Sequence, residues 1–167
     1  YILSGTLQSG QVVVNAPSTD TVRLVLNGVD ITADENAAIY APQCDKLIIT
    51  LAEGTQNTLR DAESFTYADT TKEEPDAALF AKDDLTLNGT GSLTVEASFN
   101  NGIGTKDDVV VVSGTYNIMA ANHGIRGRDA VTVLDGTFDI QSDADGIQSN
   151  NDEDTSKGWI SLEGGQY

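Results

Sequence analysis

Residues 122–133 read NHGIRGRDAVTV and hold the single histidine of the chain. A His, two Arg and an Asp this close are the residue types needed to move a proton and to pair with a carboxylate-bearing substrate. The outline recurs at 100–111, NNGIGTKDDVVV, and at 144–151, ADGIQSNN. The recurrence decides whether the histidine stretch is a site or one rung of a ladder.

Aligned on their apolar residues, Leu79, Ile103, Ile125 and Ile147, the segments place Asp83, Asp107, Asp129 and Asn151 four residues on. One position earlier stand Lys82, Lys106, Arg128 and Asn150, and two residues before the apolar position stand Asn101, His123 and Asp145. His123 thus reads as a member of an Asn–His–Asp stack at a turn rather than as a catalytic base. Arg126 is the residue the repeat does not explain, because its equivalents are Gly104 and Gln148. Carboxylates stacked about 5 Å apart repel one another. The flanking Lys82, Lys106 and Arg128 would neutralise them by salt bridges. A calcium ion, which takes six to eight oxygens, would do so equally. In the last repeat the basic residue is gone and the segment reads DADGIQSNNDEDTS. Asp143, Asp145, Asn150, Asn151, Asp152 and Asp154 crowd there, and calcium is the expected ligand; the ladder Asp83, Asp107, Asp129 is the second candidate. One His and one Cys in different repeats do not supply the donors zinc prefers.

The elements that position these residues are strands. Glycines at 5, 28, 54, 91, 114, 136 and 165 open similar segments, among them GTLQSG, GSLTVE, GTYNIM and GTFDIQ. Each is followed by a short second strand (IYA, LFA, IGT, IRG, IQS) and a β-branched third (VRLVL, LIITL, VVVV, VTV). Alternation without a helical period argues strand throughout. Three short strands in repeats of about 22–25 residues describe an all-β fold, a right-handed parallel β-helix of about six coils. Ile39, Leu79, Ile103, Ile125 and Ile147 form one inward ladder; Val22, Leu47, Leu85, Val109, Val131 and Ile160 form another. Residues 1–167 read as a single domain that starts and stops mid-pattern, as a chain trimmed at one or both ends would. Loops at 60–76 and 148–158 leave the solenoid, and long loops on a rigid repeat are where binding residues gather. Asn88-Gly89-Thr90 matches a glycosylation sequon but sits in turn chemistry.

Charge narrows the partners. Nine Lys and Arg against 26 Asp and Glu leave a formal net charge of −17, which repels nucleic acid and anionic membranes. No apolar run is long enough to insert in a membrane. The single Cys44 permits no disulfide within the chain and no CxxC metal motif. For a glycan, the usual signal is an exposed aromatic ring beside polar groups. Trp159, the only Trp, aligns with Ala130 and Asp108 outside the inward ladders, as a surface platform or as a residue packed on further coils. Tyr40 and Phe80 share the outward place of Arg126 and give a second platform.

The phrases LVLNGVDIT, LTLNGTGSLTV, GIGTKDDVVV, GIRGRDAVTV and ADGIQSNND resemble the bacterial carbohydrate-binding domain family of pectate-lyase-like β-helices, known from cellulolytic clostridia and related Gram-positive bacteria. The resemblance spans essentially the whole chain. It implies an extracellular or cell-surface protein, secreted by a signal peptide not in this chain, that binds plant cell-wall polysaccharides such as cellulose and acidic pectin-type sugars. It also implies bound calcium, and binding rather than cleavage. Asn101 and His123 depart from the family pattern, which often has an acidic residue before Gly-Ile.

Three functions follow. The leading one is a non-catalytic, calcium-binding carbohydrate-binding protein in which Trp159 stacks on sugar while Lys106, Arg126 and Arg128 pair with uronates, unless salt bridges use them. The alternative is a calcium-dependent polysaccharide (pectate) lyase acting on polygalacturonic acid, with Arg126 or Arg128 as base. The third is a structural stalk or adhesin module. Open coil ends also make self-association an expectation.

Overall fold

The computed structural model describes residues 1–67 and 69–167. Every regular element among the described residues is a strand. After β1 (Ile2–Gln8), the chain winds through β2 (Val12–Asn15) and β3 (Thr21–Thr32), then β4 (Ile39–Gln43), β5 (Lys46–Leu51) and β6 (Gln56–Arg60). The next coils are β7 (Ala77–Ala81), β8 (Asp84–Gly89) and β9 (Ser92–Ala97), and β10 (Asn101–Thr105), β11 (Asp108–Val111) and β12 (Thr115–Ala120). They are followed by β13 (Ile125–Gly127), β14 (Ala130–Val133) and β15 (Thr137–Ser142), and by β16 (Ile147–Ser149) and β17 (Trp159–Leu162).

Strands pair in parallel with their equivalents one coil away, which makes three faces: β2-β4-β7-β10-β13-β16, β3-β5-β8-β11-β14-β17, and β3-β6-β9-β12-β15. β3 serves two faces, its first half in register with β5 and its second with β6, turning a corner at Gly28 with φ 75°. The architecture is a right-handed parallel β-helix of about six turns, as the repeat predicts.

Both expected inward ladders exist, except that Ile160, at the last coil with no coil beyond it in this chain, is 43% exposed. Ile39, Leu79, Ile103 and Ile125 are in register and fully buried, as are Leu47, Leu85, Val109 and Val131. On the third face, the rings of Tyr116, Phe138 and Tyr167 stack with centroids 5.2 Å apart at each step. The glycine two residues before each ring makes room for it. A Cβ on Gly114 would sit 2.8 Å from the Tyr116 hydroxyl, and one on Gly136 2.9 Å from the Phe138 ring. Both glycines also have positive φ, where side chains are strained. That is why GTY, GTF and GQY recur.

Residues 61–76 and 150–158 lie between strands. The first segment folds back on the solenoid: Phe65 stacks on Phe99 at 4.2 Å, and Tyr67 meets both rings edge-on. The Thr66 amide donates to the Glu35 carbonyl, and Asn36 Nδ2 to the Thr66 carbonyl. The expected Tyr40–Phe80 platform is corrected here. Phe80 does point outward, but it is wholly buried, with Tyr40 at 5.9 Å on one side. The added Cβ of Gly104 would lie 3.6 Å from the Phe80 ring and 3.4 Å from Asp76 Oδ1, so loop and next coil together close over it.

Candidate functional site

The corner between the first and second faces carries the acidic ladder. β7 and β10 each end just before a Lys-Asp-Asp triplet, at 82–84 and 106–108, so two carboxylates per coil leave the turn side by side. Oxygens of Asp84, Asp107 and Asp108 all fall within 4.8 Å of one another, the acidic group of this kind among the described residues. Asp107 is pushed up to about 6, by burial first and then by its hydrogen bond to Asp129 and the charges of Asp84, Asp129 and Asp108. Burial and the same neighbours also raise Asp108. Lys46 partly offsets the group by pairing with Asp84 at 3.0 Å.

Asp129, one coil on, is treated differently. It is buried, its Oδ1 accepts from Asn151 Nδ2, and its Oδ2 pairs with Lys157 of the 150–158 segment at 2.5 Å. Despite its burial, Lys157 and Asn151 hold its carboxyl below the usual range. The expected ladder Asp83, Asp107, Asp129, Asn151 therefore breaks into parts. Asp83 Oδ2 accepts the Cys44 amide of the preceding coil at 3.4 Å, Asp107 joins the acidic group, and Asn151 ties down Asp129.

The acidic residues of the last coil do not converge. Asp145 lies 3.4 Å from His123 and accepts from Gln148 Nε2, and Asp154 caps the turn at Ser156. Asn150 faces Arg126 at 3.4 Å, Asn151 Oδ1 accepts the amides of Glu153 and Asp154, and Asp143 and Asp152 are exposed. The basic charge missing from that coil returns from the loop as Lys157, which is the physical reason a dense acidic cluster is not needed there.

The basic candidates are all engaged. Arg126 reaches across Gly104 to pair with Asp76 at 2.7 Å, with both side chains largely buried, and Lys106 approaches the same carboxylate at 3.7 Å. Gly104 leaves the path open, which explains why this rung alone carries Arg126. Arg128 pairs with Glu153 at 2.5 Å. His123 has the turn role expected of it: its amide donates to Asn101 Oδ1, and its Nδ1 accepts the Asp145 amide at 3.1 Å. Nδ1 is thus occupied as an acceptor, and the ring serves the stack.

Trp159 is 47% exposed and in register with Ala130, which is in register with Asp108. Trp159 and the acidic group therefore share one register two coils apart, with Ala130 between them buried. Asp84 and Asp108 were not among the sequence candidates. The second Asp of each KDD triplet was the signal, and RDA at 128–130 marks where the group stops.

The fold is thus a parallel β-helix with an acidic corner and an exposed tryptophan on one of its faces. The chain belongs to the family of carbohydrate-binding domain-containing proteins, whose family model matches residues 1–167. It is 41% identical over 120 residues to a carbohydrate-binding domain-containing protein of Acetivibrio thermocellus, a match covering 72% of this chain and 42% of that one. It also superposes on the solved polysaccharide lyase-like protein from C. thermocellum, a gadolinium derivative, with TM-score 0.96 and 41% identity. That match covers 99% of this chain and 66% of the other. The chain thus spans less than two thirds of the length of either relative.

Proposed function

We propose that this chain is a non-catalytic binding module for plant cell-wall polysaccharide, acting outside the cell, in which calcium at the acidic corner bridges protein to acidic sugar. The observation that carries the reading is the shared register of Asp108, Ala130 and Trp159 on one face, with Ala130 buried between them and the Trp159 side chain exposed. A ring face for sugar stacking thus stands two coils from a charge cluster suited to a hard cation.

Calcium fits the donor set. Oxygens bound to one ion at 2.3–2.6 Å lie no more than about 5 Å apart, and those of Asp84, Asp107 and Asp108 already do, before any ion draws them in. The pairing of Lys46 with Asp84 and the raised Asp107 carboxyl are the other reliefs for their repulsion. Three carboxylates leave several positions of a six- to eight-oxygen shell open. Uronate carboxylates and sugar hydroxyls are oxygens of the right kind to fill them. Gadolinium, named in the description of the solved relative, is likewise a hard, oxygen-seeking cation.

The lyase alternative takes its support from the description of that relative as polysaccharide lyase-like. Arg126 and Arg128 are each engaged in an ion pair, with Asp76 and with Glu153, rather than presented to a substrate, which supports binding over cleavage. The test is co-sedimentation with insoluble polygalacturonate and with cellulose, with calcium and with chelator, while ultraviolet absorbance follows unsaturated products. Calcium-dependent retention on polygalacturonate without products is expected. Products lost on Arg128→Ala would replace this reading with the lyase. Failure to bind either polymer would leave the stalk, for which end-to-end association through β17, with Ile160 and Leu162 exposed, is the measurable sign.

A further inference from the structure

We propose that the cleft beneath the 61–76 segment is a second, calcium-independent subsite that takes a neutral, hydroxyl-rich glycan chain against Tyr40. The inference rests on the carbohydrate-binding reading and adds to it a separate place and a different sugar class.

The cleft has a volume of about 520 Å³ and lies between the loop and the outer surface of the first face, within the usual range for small-ligand sites. Its floor is apolar. Val13 and Tyr40 are register neighbours on β2 and β4, Val13 is 53% exposed, and Pro42 and Pro75 extend the surface. Phe80, the register neighbour of Tyr40 one coil on, flanks its ring at 5.9 Å. The rim is polar and balanced in charge: Lys72 and Lys82 against Asp69 and Glu74, with Asn36 as a further donor. An apolar floor inside a ring of alternating donors and acceptors matches a sugar, which has an apolar C–H face and hydroxyls around its edge.

Lys82 is the available cation of the rim. Of the nine Lys and Arg, only Arg23 and Lys82 make no ion pair among the described residues. Lys72 is held by Asp69 at 3.2 Å. Burial first, and then the charge of Glu74, raise the Tyr40 hydroxyl above its ordinary range, so it stays a donor. No surplus positive charge is present to draw a polyanion to a chain of net charge −17, whereas a neutral polymer meets no such repulsion. The walls are set before any ligand arrives by the Phe65–Phe99 stack and the Asn36–Thr66 hydrogen bond, which lowers the ordering cost of binding.

The test is calorimetric titration with cellopentaose and with pentagalacturonate in chelator. Wild type is expected to bind cellopentaose. Tyr40→Leu, which keeps the buried apolar volume and is checked for an unchanged Tm, is expected to weaken binding at least tenfold, and Lys82→Met several-fold. Arg23→Ala, which removes an exposed cation outside the cleft, should leave it unchanged. Cellopentaose affinity unaffected by Tyr40→Leu and Lys82→Met overturns the cleft and leaves calcium-dependent binding at the corner standing. Preference for pentagalacturonate in chelator overturns the neutral class. Absence of binding to either sugar, with or without calcium, overturns both this inference and the reading it rests on.

Discussion

The two segments that leave the solenoid perform the same electrostatic service with opposite signs. Residues 61–76 bring an acid, Asp76, to the basic residues Arg126 and Lys106. Residues 150–158 bring a base, Lys157, to the acidic Asp129, and an acid, Glu153, to Arg128. They differ in how they are anchored. The first is held by aromatic packing on Phe99 and so stands off the sheet with an apolar cleft beneath it. The second is held by Asn151 and Asp154 capping its own turns. A repeat generates ladders of like charge automatically, and loops correct them locally. What they leave uncorrected, Asp84, Asp107 and Asp108 in one place and Lys82 in the other, is where a ligand has something to gain.

The comparison is broken most readily at its strongest contact. Arg126→Ala would leave Asp76 buried with only the more distant Lys106, and its Oδ1 already lacks a hydrogen-bond partner among the described residues. Loss of one partner from a largely buried pair costs about 3 kcal/mol. For a chain of this size that lowers Tm by roughly 6–12 °C. Lys106→Ala removes a half-exposed, longer contact and should cost under about 1 kcal/mol. Equal effects in thermal denaturation would show that Asp76 is held by charge in general rather than by the passage over Gly104.

Calcium tests the other loop. An ion present at about 100 times its Kd stabilises by about 2.7 kcal/mol, a Tm rise of roughly 5–10 °C that chelator reverses. Asp107→Asn is expected to stabilise the calcium-free protein, because it removes repulsion, and to abolish the calcium response. Lys157→Met is expected to destabilise the calcium-free protein, since Asp129 loses its cation. It should also increase the response to calcium, because the competing positive charge is gone. A response to calcium that survives Asp107→Asn would move the ion away from the KDD corner.

The architecture was legible because the sequence period is the coil itself. Aligning Ile103 with Ile125 and Val109 with Val131 is already a statement of register. The corner was half legible. Asp107 follows from counting after the inward isoleucine, but Asp84 and Asp108 begin the next strand and face outward, so a count of turn positions passes over them. Contacts made by loops have no period. Asp76 stands 50 residues before Arg126, and nothing in the repeat pairs them except the glycine between. Parity correctly assigned Phe80 to the outer surface, yet the loop covers it. Lys157 lay in plain view but without a register to tie it to Asp129.

The smallest effect separates the two regions by pH. Asp61, where the first loop leaves β6, is pushed up to about 6 by burial, although Oδ1 accepts the Ser98 amide at 2.6 Å. Its Oδ2 is buried without a partner, as suits a protonated carboxyl. Asp107 also rises to about 6, but there a bound cation would hold the charged form instead. A carboxyl raised on folding binds its proton more tightly in the native state than in the unfolded chain. Stability is therefore gained as pH falls through about 6 towards about 4, and lost as pH rises back through that window. From about pH 7.5 to about pH 5, Asp61 should contribute about 1 kcal/mol, or roughly 2–4 °C in Tm. Asp61→Asn keeps the acceptor for Ser98 and should remove this part of the slope with or without calcium. Asp107→Asn should remove its part in chelator only, because calcium suppresses that titration in the wild type. If calcium leaves the wild-type slope untouched, the corner holds no ion.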